Sequence, residues 1–270
     1  MTKTFRQAWI TGASSGIGAA LAHRLASHGI PLVLIARNQA RLEEVAKSLH
    51  SLVPVQLRVV DLADSRARAA LVTELSASPP DLLINNAGLG TYGSVLTREL
   101  ADHLQPLEVN VTALTELTIA CGRALSATGR RGIICNVSSA AAFQAFPSCA
   151  VYAATKAYVN SFSEAVDAEL APIGVRVLTS CPGQVATQFS SRASGKGERD
   201  DAPRAYSMTA SFAAEEIWRQ IQKEDSLRIF DWRYRCGVFL SRFVLPKSWV
   251  HRVLRGNIEK RVPDPSYKES

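Results

Sequence analysis

Tyr152 and Lys156 stand four residues apart in VYAATKAYV, a spacing that places them one above the other on the same face of a helix. An ammonium beside a phenol favours phenolate and lowers the phenol's pKa from about 10, which makes it a usable acid or base near neutrality. Ser138 and Ser139 follow the apolar run 132–137, so their hydroxyls emerge at the end of a strand, where one of them can orient a carbonyl oxygen beside Tyr152. A second constellation suits an anion. Thr11-Gly12-Ala13-Ser14-Ser15-Gly16-Ile17-Gly18 follows the apolar run 7–11 and opens a helix. Glycine there lets the chain turn tightly and approach a pyrophosphate, while free amides and the helix dipole face the negative charge.

The second apolar run ends at Ile35-Ala36-Arg37-Asn38. A dinucleotide site that prefers NAD places a carboxylate at this point to accept the ribose hydroxyls. None is present, and Arg37 offers a planar, permanently charged fork suited to a 2′-phosphate, so NADP(H) is the expected cofactor. The third and fourth runs end with Asp61-Leu62 and Asn86-Ala87-Gly88. Asp61 is placed to accept from an adenine amino group, and residues 86–88 to line the adenosine.

These residues need a frame. Apolar runs of strand length recur at 7–11, 31–36, 55–60, 81–84, 132–137, 175–180 and 227–230, separated by helix-like stretches at 17–27, 41–49, 65–75, 99–125, 153–170 and 213–223. Continuous rather than alternating apolar strands predict a seven-stranded parallel sheet covered by helices on both faces, a doubly wound α/β fold of Rossmann type. A chain of 270 residues suits one such domain and is short for two, so 1–231 is expected to form the catalytic domain, with 232–270 a basic amphipathic extension packed on it. Five cysteines with no close pair argue against a disulfide framework and point to a cytoplasmic protein, and no Cys/His cluster has metal-ligand spacing. No apolar run reaches signal-peptide or membrane-spanning length. Between 228 and 261, nine Lys/Arg stand against Asp231 and Glu259, which accounts for the whole net charge of +7. The main body is neutral, without the basic stripe that nucleic acid would need.

Taken together, TGASSGIG at 11–18, NNAG at 85–88, Asn110 of EVNVTAL, NVSS at 136–139, YAATK at 152–156 and PGQVAT at 182–187, in that order, resemble the short-chain dehydrogenase/reductase superfamily over about residues 8–230. The resemblance implies a Ser-Tyr-Lys-Asn catalytic set of Ser139, Tyr152, Lys156 and Asn110, the serine spacing selecting Ser139 over Ser138. It implies that Tyr152 gives or takes the proton of a carbonyl/alcohol pair while hydride moves at the nicotinamide. Lys156 would hold the nicotinamide ribose and depress the Tyr152 pKa, Ser139 would position the substrate oxygen, and Asn110 would support a water-linked proton relay through Lys156. Pro182, Gly183, Val185 and Thr187 resemble the segment bordering the nicotinamide and its phosphate. Homodimers or homotetramers, often built through two long central helices, are also implied.

Phe143, Gln144, Ala145, Phe146, Cys149 and the loop after Thr187 are expected to contact substrate, and their apolar character favours a hydrophobic ketone or aldehyde. Cys149 has no evident base beside it and reads as a pocket residue rather than a nucleophile. The segment 190–201 reads as a mobile loop. In the tail, Val250, Val253, Leu254 and Ile258 recur at helical spacing, with Lys247, Arg252 and Arg255 available for another face. Such a segment suits an anionic membrane surface, an acidic carrier protein, closure over substrate, or simple packing on the domain. The expected activity is an NADP(H)-dependent carbonyl reductase or alcohol dehydrogenase. The alternatives are a 3-oxoacyl thioester reductase and a regulator that senses NADPH without turnover.

Overall fold

In the computed structural model, which describes residues 3–96, 98–195, 207–246, 248–250 and 252–253, the seven apolar runs form a single parallel sheet. Its strands are β1 (Ala8–Thr11), β2 (Leu32–Ala36), β3 (Val55–Val59), β4 (Leu82–Asn85), β5 (Gly132–Val137), β6 (Val175–Cys181) and β7 (Leu227–Ile229), in the order β3-β2-β1-β4-β5-β6-β7. The first three strands build outward from β1 on one side and the last four on the other. Between β1 and β4 the connections therefore diverge, and a crevice opens at the carboxyl ends of the strands.

Successive side chains of the central strands alternate between two apolar layers. Ala8, Ile10, Leu32 and Leu34 pack with Leu21 and Leu25 of α1 (Gly16–Ala26), Leu42 of α2 (Gln39–Leu49) and Ile217 of α8 (Ala210–Lys223). Trp9, Val33, Ile35 and Leu83 pack on the other face with Leu71 and Leu75 of α3 (Ser65–Ala77) and Leu117 and Leu125 of α5 (Leu114–Ala127). Both faces of the central strands are covered, which is why these strands read as unbroken apolar runs. Asn38, Asp64 and Thr209 start α2, α3 and α8 by accepting hydrogen bonds from first-turn amides.

The helix expected over 99–125 is present as one helical run from Leu100 to Ala127 with a π-helical turn inside it. It comprises α4 (Leu100–Leu107), the π-helical turn at Glu108–Ala113, and α5. Pro106 has no N–H to offer the carbonyl of Asp102, which accepts instead from the Thr91 hydroxyl. The helix expected from residue 153 begins earlier, as α6 (Ala150–Leu170), so Tyr152 sits in its first turn. Part of the segment read as a mobile loop is the short helix α7 (Phe189–Ala193), while its residues 196–201 lie outside the described residues. The tail forms α9 (Trp232–Phe239), which runs into a π-helical turn at Leu240–Val244. Of the tail positions singled out above, Lys247, Leu254, Arg255 and Ile258 lie outside the described residues.

Asp167 ties the far end of the sheet to α6. Its carboxylate accepts from Arg176 Nε and Nη2 at 2.9 Å each, from Val177 N at 2.8 Å and from Ser226 Oγ at 3.1 Å. Burial opposes its charge, but these donors together hold its pKa below the ordinary value of 3.8. A depressed carboxylate pKa contributes stability that is complete above the unfolded value and disappears as pH falls through the folded one. Asp167→Asn is expected to cost about 1–3 kcal/mol in urea denaturation at pH 7. The deficit should close as the pH is taken below 3.8; an equal deficit under acid conditions would assign the loss to packing instead.

Candidate active site

At the carboxyl edge of β1, Thr11 Oγ1 accepts from the amides of Asn86 and Ala87, both at 3.0 Å, and Asn86 Nδ2 donates to Thr11 O at 2.9 Å. These bonds bring the ends of β1 and β4 together at the point where the connections diverge. Gly12 is left-handed at φ +67°, and a Cβ on it would lie 2.9 Å from Ala87 Cα. A Cβ on Gly18 would meet Gly12 O at 2.3 Å, so this glycine serves the packing of α1 under the turn.

Above the turn lies a cleft of about 620 Å³. It is bordered by Gly12, Ser14, Ser15, Gly16 and Ile17 of the turn, by Arg37, Asp61 and Leu62 at the ends of β2 and β3, and by Asn86, Ala87 and Gly88 after β4. Ser139, Tyr152 and Lys156 stand across from them, with Pro182, Gly183, Val185 and Thr187 between. Two of the expected residues, Gly18 and Asn110, do not border it. Asn110 is buried in the π-helical turn. Its Oδ1 accepts from Leu89 N at 2.8 Å, and its Nδ2 donates to Leu89 O at 2.8 Å and Thr155 Oγ1 at 3.0 Å. The side-chain amide thus anchors the loop after β4 to α6. Asp61 likewise spends a carboxylate oxygen on its own turn, accepting from Ala63 N at 2.9 Å.

The two serines differ in their partners. Ser138 is buried and donates to Lys156 O at 3.0 Å, whereas Ser139 caps a 3₁₀ turn at Ala140–Phe143, accepting from Ala141 N at 3.1 Å, and borders the cleft beside Tyr152. Burial raises the Tyr152 pKa well above 10, against the lowering effect of Ser139. The same burial lowers Lys156 from 10.5 to about 8. Lys156 Nζ donates to Val137 O at 2.8 Å and lies 5.9 Å from the Tyr152 ring centroid. The depressed Tyr152 pKa expected from the spacing is therefore not what the chain alone displays. Desolvation is the largest cause for both groups, and the amine donates to a backbone carbonyl.

The loop after Thr187 borders the cleft as expected, through Phe189, Ser190 and Arg192. Phe189 of α7 packs its ring 5.4 Å from that of Tyr152. From the same helix Arg192 reaches Ser15 Oγ at 3.5 Å, and its N-cap Gln188 accepts from Arg41 at 2.8 Å, so α7 spans the cleft. Tyr234 of α9 covers Gly183, where a Cβ would be 2.2 Å from the Tyr234 ring, and its hydroxyl accepts from Gln184 N at 2.9 Å. Tyr234, Val238, Ser241 and Leu245 follow one another at helical spacing along the cleft wall, joined by Trp249, Val250 and Val253. That periodicity was available in the sequence and marks one face of the tail. Gln144, Phe146 and Cys149 border the cleft as expected, while Phe143 and Ala145 do not. Among the described residues no group of three His, Cys, Asp or Glu side chains could hold a metal ion.

A family model described as short chain dehydrogenase matches residues 6–197. The chain belongs to this family. It is accordingly an oxidoreductase acting on alcohol and carbonyl groups. The dehydrogenase is 36% identical over 216 residues to a sulfoacetaldehyde reductase of Chromohalobacter salexigens, covering 79% of this chain and 85% of the relative. Its fold is similar to a short-chain dehydrogenase from Sphingobium yanoikuyae solved in complex with NADPH, with TM-score 0.77, 28% identity and 98% of each chain covered. It is also similar to the bulky-bulky ketone specific alcohol dehydrogenase of Comamonas testosteroni, with TM-score 0.74, 25% identity, and 98% of this chain and 96% of that one covered.

Burial pushes the thiols of Cys121, Cys135, Cys149 and Cys181 up to about 12, Cys149 at the cleft included, while Cys236 on α9 is exposed. A thiol-reactive chromophore at pH 8 is therefore expected to modify one of the five cysteines rapidly in the native dehydrogenase and all five in denaturant. Rapid modification of Cys149 would contradict the burial of the cleft wall.

Proposed function

We propose that this dehydrogenase is an NADP(H)-dependent reductase of hydrophobic ketones or aldehydes in which Tyr152 delivers the proton. The observation that carries the reading is the convergence of Tyr152, Ser139 and Lys156 on one cleft with a glycine turn that no larger residue could form.

The turn fits a dinucleotide. Gly12 and Gly16 are left-handed at φ +67° and +56°, and a Cβ on Gly16 would press to 3.2 Å on Thr187, so the amides stay open to a pyrophosphate. Arg37, exposed at the cleft's edge and unaccompanied by a carboxylate, favours the 2′-phosphate of NADP(H). The NADPH complex of the Sphingobium relative supports the same choice. When bound, NADPH supplies the hydride, and the protein supplies position and charge. Ser139 and Tyr152 both donate to the substrate oxygen. As the carbonyl carbon gains its hydrogen, Tyr152 passes its proton to that oxygen, leaving phenolate and an alcohol. At pH 7 Lys156, with a pKa of about 8, is mostly ammonium and stabilises the phenolate. Asn110 is a positioning residue that fixes the loop beside Lys156. A substrate pocket walled by Phe146, Phe189, Val238, Leu245 and Trp249 favours an apolar group, and the ketone-specific relative supports that class. Residues 232–253 then act as an extension of the catalytic domain that completes the pocket wall.

Tyr152→Phe is expected to lower NADPH-dependent turnover of a hydrophobic ketone by about 10²–10⁴-fold, with NADPH binding retained. Arg37→Asp should weaken NADPH binding about tenfold or more and leave NADH binding unharmed. Steady-state kinetics and fluorescence titration across a panel of ketones, long-chain aldehydes and acyl thioesters check both. Retained turnover in the Tyr152 variant removes the tyrosine from its role, and faster reduction of thioesters than of ketones replaces the substrate class.

A further inference from the structure

The tail helix presents two apolar faces. Tyr234, Val238, Ser241 and Leu245 turn inward on the cleft. Trp232, Phe239 and Phe243 recur on the opposite side and are 65%, 58% and 70% exposed, with the rings of Phe239 and Phe243 5.6 Å apart. The outer face of a surface helix is ordinarily polar, whereas this one carries three large aromatic side chains that are each more than half exposed. Arginines flank it. Arg235 is exposed, Arg233 is exposed and ion-paired with Asp231, and residues 232–261 carry eight Lys/Arg against one Glu. Trp249 lines the cleft and is itself half exposed, as is Val253, so the aromatic patch continues into the mouth of the substrate pocket.

We propose that this face docks peripherally on an anionic lipid bilayer and opens the substrate end of the cleft toward it. The inference rests on the reading of a hydrophobic carbonyl substrate and extends it to carbonyl compounds dissolved in the bilayer. Large aromatics enter the headgroup boundary while arginines beside them meet lipid phosphates. A second copy of the chain would oppose the same positive charge to itself, and an acidic protein would satisfy the arginines without a use for the aromatic cluster. Among the described residues no helix is long and apolar enough to cross a membrane, so the attachment is to the surface.

The test uses the full chain and vesicles of phosphatidylcholine with and without phosphatidylglycerol. Wild-type protein is expected to sediment with the anionic vesicles about tenfold more strongly than with the neutral ones. Phe239 and Phe243 lie outside the cleft lining. The Phe239→Ser/Phe243→Ser variant should lose about tenfold in vesicle affinity, reduce a long-chain aldehyde held in vesicles more slowly, and keep the wild-type rate on a water-soluble ketone. Arg235→Glu, which leaves the aromatic cluster untouched, should weaken binding to anionic vesicles about fivefold. Absence of wild-type binding to anionic vesicles, or full binding by both variants, overturns the proposal. So does ultracentrifugation in which the aromatic substitutions abolish self-association, since a second copy would then cover the face. Failure of the wild type on every soluble ketone would remove the substrate reading instead, and vesicle sedimentation would still judge the docking face.

Discussion

Burying an amine and a phenol together at the mouth of one crevice is the constraint on which the rest of this dehydrogenase depends. Tyr152 and Lys156 are both buried, and for each the largest influence on its proton is the loss of water. Desolvation disfavours ammonium and phenolate alike, so the pair rests as a protonated phenol beside an ammonium that gives up its proton more readily than in water. The surroundings are arranged to hold it there. Lys156 is fixed by Val137 O at the end of β5 and, through its own carbonyl, by Ser138, while Tyr152 lies between Ser139 and the ring of Phe189. A developing negative charge on oxygen meets few competing waters in such a place, which increases the effect of each donor aimed at it.

The sheet makes that arrangement possible. Parallel strands deliver their carboxyl ends to one edge, so residues from β1, β2, β4, β5 and β6 meet although they are far apart in sequence. A buried amide network fixes the relation of the central strands. Asn85 Nδ2 donates to Asn136 Oδ1 at 2.9 Å and to Thr118 Oγ1 at 3.1 Å, and Asn136 Nδ2 donates to Ser163 Oγ at 2.9 Å, joining β4, β5, α5 and α6. Asn85 Oδ1 is buried without a partner, but the other amide groups are paired across Asn85 and Asn136, which face each other in the register of β4 against β5.

The strands and the cleft's inner wall were legible in the sequence because their signals are local. A doubly covered strand is an unbroken apolar run, a glycine turn is a spacing, and Tyr152 and Lys156 share a helix face. What escaped depends on contacts between distant segments. The loop holding Phe189 was expected at the substrate but not its helix or its packing on Tyr152, and Tyr234 gains its place only because Gly183 lacks a side chain. The π-helical turn that holds Asn110 had no local signature, although Pro106 lies just before it and leaves the Asp102 carbonyl to Thr91. In the chain alone the Tyr152 pKa lies above its ordinary value for a related reason, since helical spacing gives proximity along an axis but neither burial nor the carbonyl to which the amine turns.

The tail completes the molecule by closing the apolar end of the crevice, so that one segment shapes the pocket and faces the surroundings at once. All of this presumes that the amine at the base of the cleft is truly dry. An NMR titration of the Lys156 side chain in cofactor-free protein, assigned by comparison with Lys156→Met, measures that state directly. The account predicts a midpoint of about 8; a midpoint at the ordinary 10.5 would mean a hydrated amine and contradict it.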